Sequence, residues 1–190
     1  MELTKKIEDI VQRKFKGSFK KYTKMLRLGD KMNGLNEKSR RRIAEALEKV
    51  LADTYALFLK TQNYHWNVTG DFNDLHEMFE KQYEELYGDV DDIAERIRAL
   101  GFKINGTFTR FKDVTTVEDG IADKEDGEMT KDLADSHAHL ISNLREVAGI
   151  ASEEKDFATV NFISELSKAR EKTLWMLRAK SSTDNSKVLK

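Results

Sequence analysis

From Leu75 to Leu100 apolar residues return every three or four positions: Leu75, Phe79, Tyr83, Leu86, Val90, Ile93, Ile97 and Leu100, with Gly101 as the stop. That period lines the side chains along one stripe of a single α-helix. At the usual rise per residue, a helix over 72–100 reaches ~43 Å, a length that suits a helix bundle. Nothing in the sequence interrupts it. The 190-residue chain contains no proline, the residue that most reliably breaks a helix interior.

Partners of similar length follow from the same period. Ile43, Leu47, Val50, Leu51, Thr54, Leu57 and Phe58 predict a helix over roughly 37–66. Gly70 and Asp71 end it, and Asp71 is placed to cap the next one. Met129, Leu133, His137, Leu140, Leu144, Val147 and Ile150 mark a third helix; Phe157, Val160, Ile163, Leu166, Leu174 and Leu177 mark a fourth. The polar cluster from Ser152 to Asp156 supplies the turn and a cap between them. Residues 101–127 lose periodicity and hold Gly101, Gly106, Gly120 and Gly127, which reads as a long crossover with a short helix over Val114–Ile121. The expected fold is therefore all-α: a ferritin-like four-helix bundle with a long crossover between the second and third long helices. Its expected boundaries are a basic arm over 1–36, the bundle over 37–180 and a polar tail over 181–190.

Composition narrows the chemistry. There is no cysteine, so disulfides, thiolate metal sites and cysteine catalysis are excluded. No window approaches the ~18 apolar residues of a membrane span, and the N-terminus lacks the apolar core of a secretory signal. Cytoplasmic residence without a membrane span is the expectation. The net charge of −1 conceals an asymmetry: residues 1–42 carry 14 Lys/Arg against 5 Asp/Glu, and the rest carry 19 against 29. An acidic body bears a basic arm.

The candidate chemistry lies between His65 and Arg96. His65 and Trp66 close the first helix; His76 and Glu80 stand four apart on the second, as do Asp91 and Glu95, so each pair projects from one helical face. Imidazole and carboxylate together suit non-haem iron. Either pair alone decorates any solvated helix, and the combination with His65 carries the reading. Glu80 and Asp91 are 11 residues apart, which is ~16 Å along a helix axis. Ligands ~2 Å from a metal cannot share it across that gap. Either there are two separate sites, or the His76/Glu80 half of one chain meets the Asp91/Glu95 half of another. Antiparallel pairing of identical helices about a two-fold axis achieves the second arrangement and gives a dimer with two interfacial metal sites.

The segments Tyr64-His-Trp-Asn-Val-Thr-Gly70, Leu75-His-Glu-Met-Phe-Glu80 and Asp91-Asp-Ile-Ala-Glu-Arg-Ile97 resemble the signature of the Dps family, the mini-ferritins that protect DNA during starvation. Glu171-Lys-Thr-Leu-Trp-Met-Leu-Arg-Ala179 is similar to the end of that family's last helix. The resemblance implies a ferroxidase, with His65, His76 and Glu80 of one subunit and Asp91 and Glu95 of its neighbour as iron ligands. It places Trp66 beside the iron among the catalytic residues. It further implies a homododecameric shell that oxidises Fe(II), preferentially with hydrogen peroxide, and stores ferric mineral. Two departures stand out. Glu80 replaces a frequent aspartate, and the interval between the two histidines is one residue shorter than usual. Lost from the turn, that residue leaves the ligands able to converge; lost from the helix start, it sets His65 askew.

Other features carry competing readings. Arg13-Lys-Phe-Lys16, Lys20, Lys21, Lys24, Arg27 and Arg40-Arg-Arg42 would neutralise phosphates, giving sequence-independent DNA binding through residues 1–42 and nucleoid association. Interleaved Ile7, Ile10, Val11, Phe15, Phe19, Tyr22, Met25 and Leu26 equally suit an arm folded on the shell, on a membrane surface or on a partner. Glu125, Asp126, Glu128, Asp132 and Asp135 are read as lining iron entry pores or as a helix start favourable to the dipole. Glu84, Glu85, Asp89 and Asp92 are read as solvated charges. His137 and His139, two apart on a helix, face different sides and take structural or solvent roles. The principal rival function is a non-catalytic, nucleoid-compacting DNA-binding protein. A di-iron oxygenase needs Glu-x-x-His pairs, which Glu80-Lys-Gln-Tyr83 fails to supply.

Overall fold

The computed structural model describes residues 33–187, with side chains to residue 181. Residues 1–32, most of the expected basic arm, lie outside the described residues. Among the described residues five helices form: α1 (Glu37–Asn67), α2 (Phe72–Ala99), α3 (Phe108–Val114), α4 (Asp126–Glu153) and α5 (Phe157–Lys187). The stretch from 181, read as a polar tail, is helical to Lys187; it contains neither glycine nor proline to stop it.

Local chemistry sets the helix ends. Asn36 caps α1, its side chain accepting from the Ser39 N–H at 2.9 Å. α2 ends in a Schellman arrangement: Phe102 N–H reaches the Ile97 carbonyl and Gly101 N–H the Arg98 carbonyl. It needs a left-handed residue, and Gly101 supplies φ 95°. The α4–α5 turn uses the same device with Lys155 at φ 62°. Asp156 then caps α5 by accepting from the Thr159 N–H at 3.1 Å. Asp71, expected to cap α2, occupies the N-cap position without a side-chain cap bond, because its carboxylate pairs with the Lys180 ammonium of α5.

α1 and α2 form one antiparallel pair and α4 and α5 another, joined chiefly through α1 against α4. Their apolar stripes meet in one core, in which Ile43, Leu47, Leu57, Phe79, Leu86, Leu133 and Ile163 are fully buried. Each such side chain contributes about 2 kcal/mol of burial. The crossover climbs along α1. Arg40 donates to the Leu100 carbonyl at 2.7 Å, Arg110 pairs with Glu48 at 2.8 Å, and Asn63 donates to the Gly120 carbonyl at 3.2 Å. Buried Asp53 takes bonds from the Thr115 hydroxyl at 2.9 Å and the Thr116 N–H at 2.6 Å. Those bonds hold 115–116 extended, so the short helix expected over Val114–Ile121 lies earlier, where the Thr107 side chain caps it.

Two further charge assignments change. Of Arg40, Arg41 and Arg42, counted with the phosphate-binding arm, Arg40 is buried in the bundle while Arg41 and Arg42 stay exposed in surface ion pairs. Besides the Arg40 contact, Arg41 bonds Glu37 at 2.7 Å and Arg42 bonds Glu153 and Glu154 at the end of α4. Glu85 and Asp89, read as solvated, face the buried guanidinium of Arg170 at 3.1 and 3.3 Å. Burial pushes Asp89 up to about 6 despite that cation. Among the described residues no helix is long and apolar enough to cross a membrane.

Candidate metal centre

His65 sits in the last turn of α1 and His76 in the second turn of α2, on either side of the turn 68–71. Each ring is oriented by the other's backbone: Nδ1 of His65 lies 2.9 Å from the His76 carbonyl oxygen, and Nδ1 of His76 lies 3.0 Å from the His65 carbonyl oxygen. A carbonyl only accepts, so Nδ1 of each neutral ring carries the proton and donates it. The lone pair is left on each Nε2, the tautomer a metal ligand requires. The rings stack with centroids 3.8 Å apart. Phe72 stacks on the outer face of His76 at 4.6 Å, and Tyr83 meets His65 edge-on at 5.2 Å. His65 and His76 thus lie side by side across the turn.

The remaining candidates lie apart. His65 is 6% exposed and Trp66 beside it 62%. Glu80, one turn beyond His76, is exposed, as are Asp91 and Glu95 toward the far end of α2. Among the described residues no three His, Asp or Glu side chains of a single chain come together to hold a metal. One chain brings two imidazoles together and leaves three carboxylates facing outward.

The other histidines separate as their spacing predicts. His139 Nε2 lies 2.6 Å from the Thr116 hydroxyl. His137 is fully buried without a hydrogen-bond partner for either nitrogen, and burial, with the nearby Arg170 charge, lowers it to about 3. Of the acidic run at 125–135, Glu125 and Glu128 form a capping box. Asp132 binds Lys60, Lys124 and the Tyr64 hydroxyl. Asp126 accepts three N–H groups of the α1–α2 turn. Four of the five are therefore committed to capping or to long-range bonds. Sequence reasoning missed the role of Asp126 and the edge contact of Tyr83; the second was signalled by Tyr83 lying seven residues, two helical turns, beyond His76.

Comparison with known proteins places the chain. Residues 44–184 match the Ferritin family, described as a ferritin-like domain. The chain is 36% identical over 149 residues to a low temperature-induced protein of Nostoc, covering 77% of this chain and 83% of that one. It is 33% identical over 137 residues to a DNA protection during starvation protein of Helicobacter pylori, covering 71% and 95%. The crystal structure of a Dps protein from Vibrio cholerae, described as one of the ferritin-like diiron-carboxylate proteins, superposes with a TM-score of 0.76 at 28% identity, covering 78% and 94%. The bundle is thus of the ferritin-like class. Within that class, the chain belongs to the Dps family.

Proposed function

We propose that the protein is a ferroxidase and iron store that takes Fe(II) as substrate and hydrogen peroxide as preferred oxidant, and that works as a homododecamer built from two-fold dimers. The observation that carries this reading is the reciprocal His65–His76 arrangement, which leaves an Nε2 lone pair on each of two stacked rings while, among the described residues, no three ligands cluster within one chain. Glu80 of that chain and Asp91 and Glu95 of a neighbour complete the set. Exposed Trp66, Phe72, Tyr87 and Phe108 support a second copy as the covering partner.

The carboxylates favour Fe(III) over Fe(II) electrostatically, and the neutral imidazoles bind either without added charge. Two Fe(II) ions each give one electron to a peroxide, which takes two protons and leaves as two waters. No hydroxyl radical is released, and Fe(III) passes on to mineral inside the shell. DNA is protected by that chemistry in the cytoplasm and, through residues 1–42, by salt-sensitive phosphate contacts at the nucleoid.

The test is anaerobic Fe(II) loading followed by peroxide, with H76A/E80A alongside. Oxidation faster than the iron-only control, lost in the variant, is expected; no acceleration, or an unaffected variant, contradicts the reading and leaves the rival nucleoid-compacting function. A low-salt gel shift with residues 1–35 removed tests the arm, and equal retention of DNA contradicts it.

A further inference from the structure

Three consecutive N–H groups of the α1–α2 turn converge on one carboxylate. Thr69 N–H donates to Asp126 Oδ1 at 3.1 Å; Gly70 and Asp71 N–H donate to Oδ2 at 2.6 and 2.9 Å. Asp126 is the first residue of α4, so a helix remote in sequence dictates the path of the turn. The approach is close: a Cβ at position 70 would lie 2.9 Å from the same Oδ2, so the carboxylate would have to shift to admit it. Thr69, Gly70 and Asp71 are all exposed, and water would satisfy their N–H groups without Asp126. What the carboxylate adds is selection of one turn geometry among many.

That geometry matters because His65 and His76 flank the turn and hold one another through backbone carbonyls. A turn that relaxes moves those carbonyls, and the bonds that fix both ring tautomers lengthen. We infer that Asp126 is a positioning residue of the iron centre: by gripping residues 69–71 it holds His65 and His76 in the mutual arrangement that presents both Nε2 atoms to a metal. The assignment rests on the ferroxidase reading.

The probe is Co(II), titrated anaerobically into the full-length assembled protein and followed by its visible absorption and by calorimetry. D126N places an amide donor against a row of N–H donors, and G70A pushes the carboxylate away from the other side. Each is expected to weaken Co(II) binding tenfold or more, the usual effect of losing a group that orients a ligand. Because both disrupt one contact, the double variant is expected to lose no more than either single one. D53N, in the middle of α1 where Asp53 holds Thr115 and Thr116, is the stability control and is expected to lower the melting temperature while leaving Co(II) affinity unchanged. Wild-type affinity in D126N and G70A overturns the assignment. So does an affinity loss in D53N that matches theirs for the same fall in melting temperature. Wild-type protein whose Co(II) binding is absent, or is indifferent to H76A, overturns the ferroxidase reading itself and the assignment with it.

Discussion

His65 and His76 each donate a ring N–H to the other's backbone carbonyl, so neither ring can turn without breaking the bond that ties it to the other's backbone. Both bonds run between protein atoms, and the bundle's core is apolar. Chelator treatment should therefore leave the melting temperature unchanged, whereas H76A should lower metal affinity ~10-fold or more by removing a ligand and the ring stacked on His65. Calorimetry with and without chelator, beside metal titration of H76A, checks both; a chelator-induced fall in melting temperature would mean that the fold depends on the metal.

His137 makes acid stability depend on one buried ring. Its folded-state value is lowered to about 3 from an ordinary 6.5, so the unfolded chain takes up the proton first. Stability is full above the ordinary value and falls as pH drops from 6.5 toward 3, at about 1.4 kcal/mol per pH unit for one proton. Neither ring nitrogen has a partner to lose, so H137L should fold with stability within about 1 kcal/mol of wild type at pH 7. Denaturant titrations between pH 7 and pH 4 should show a flatter acid limb for H137L; parallel limbs would contradict the assignment.

Asp156 joins the α4–α5 turn to α2. One Arg96 nitrogen lies 2.9 and 2.8 Å from its two oxygens, and the Thr159 hydroxyl donates at 2.6 Å. Burial pushes its carboxyl up, but the Thr159 and Arg96 bonds outweigh burial and hold it below the usual range. Its contribution is present above the ordinary carboxylate value and is lost as pH falls through the lowered one. D156A should destabilise by roughly 2–4 kcal/mol, through a lost cap and an unpaired Arg96. Chemical denaturation at pH 7 measures this, and a loss below 1 kcal/mol would show the pair to be dispensable.

Lys155 holds a left-handed conformation, φ 62°, that glycine adopts without strain. K155G should stabilise the protein by about 1 kcal/mol, read as a rise in the denaturant midpoint at unchanged slope. A lower midpoint would mean that the lysine side chain contributes more than its backbone costs.

What could be read from the chain and what could not divide by sequence distance. The stripe from Leu75 to Leu100 announces α2 because a helix repeats its own geometry, and Ser152 to Asp156 announces the turn because its signals are adjacent. The Asp126 clamp, the Arg170 contacts with Glu85 and Asp89, and the bonds of Arg40 and Arg42 join residues tens of positions apart. No local pattern encodes them. α3 lies earlier than expected for the same reason: Asp53, on α1, claims Thr115 and Thr116. The spacing argument that separated Glu80 from Asp91 needed only helix geometry, and it leaves the site incomplete in one chain.

Subunit complementation tests that central claim most directly. H76A/E80A chains lack one half-site and D91A/E95A chains lack the other, so each homo-oligomer should be inactive. Co-assembled in equal amounts, half of the two-fold dimers are mixed, and each mixed dimer rebuilds one of its two sites from the intact halves. The account predicts peroxide-dependent Fe(II) oxidation at about a quarter of the wild-type rate from the mixture. A mixture no faster than the two variants assayed separately, or either variant active alone, would contradict an iron site shared between chains.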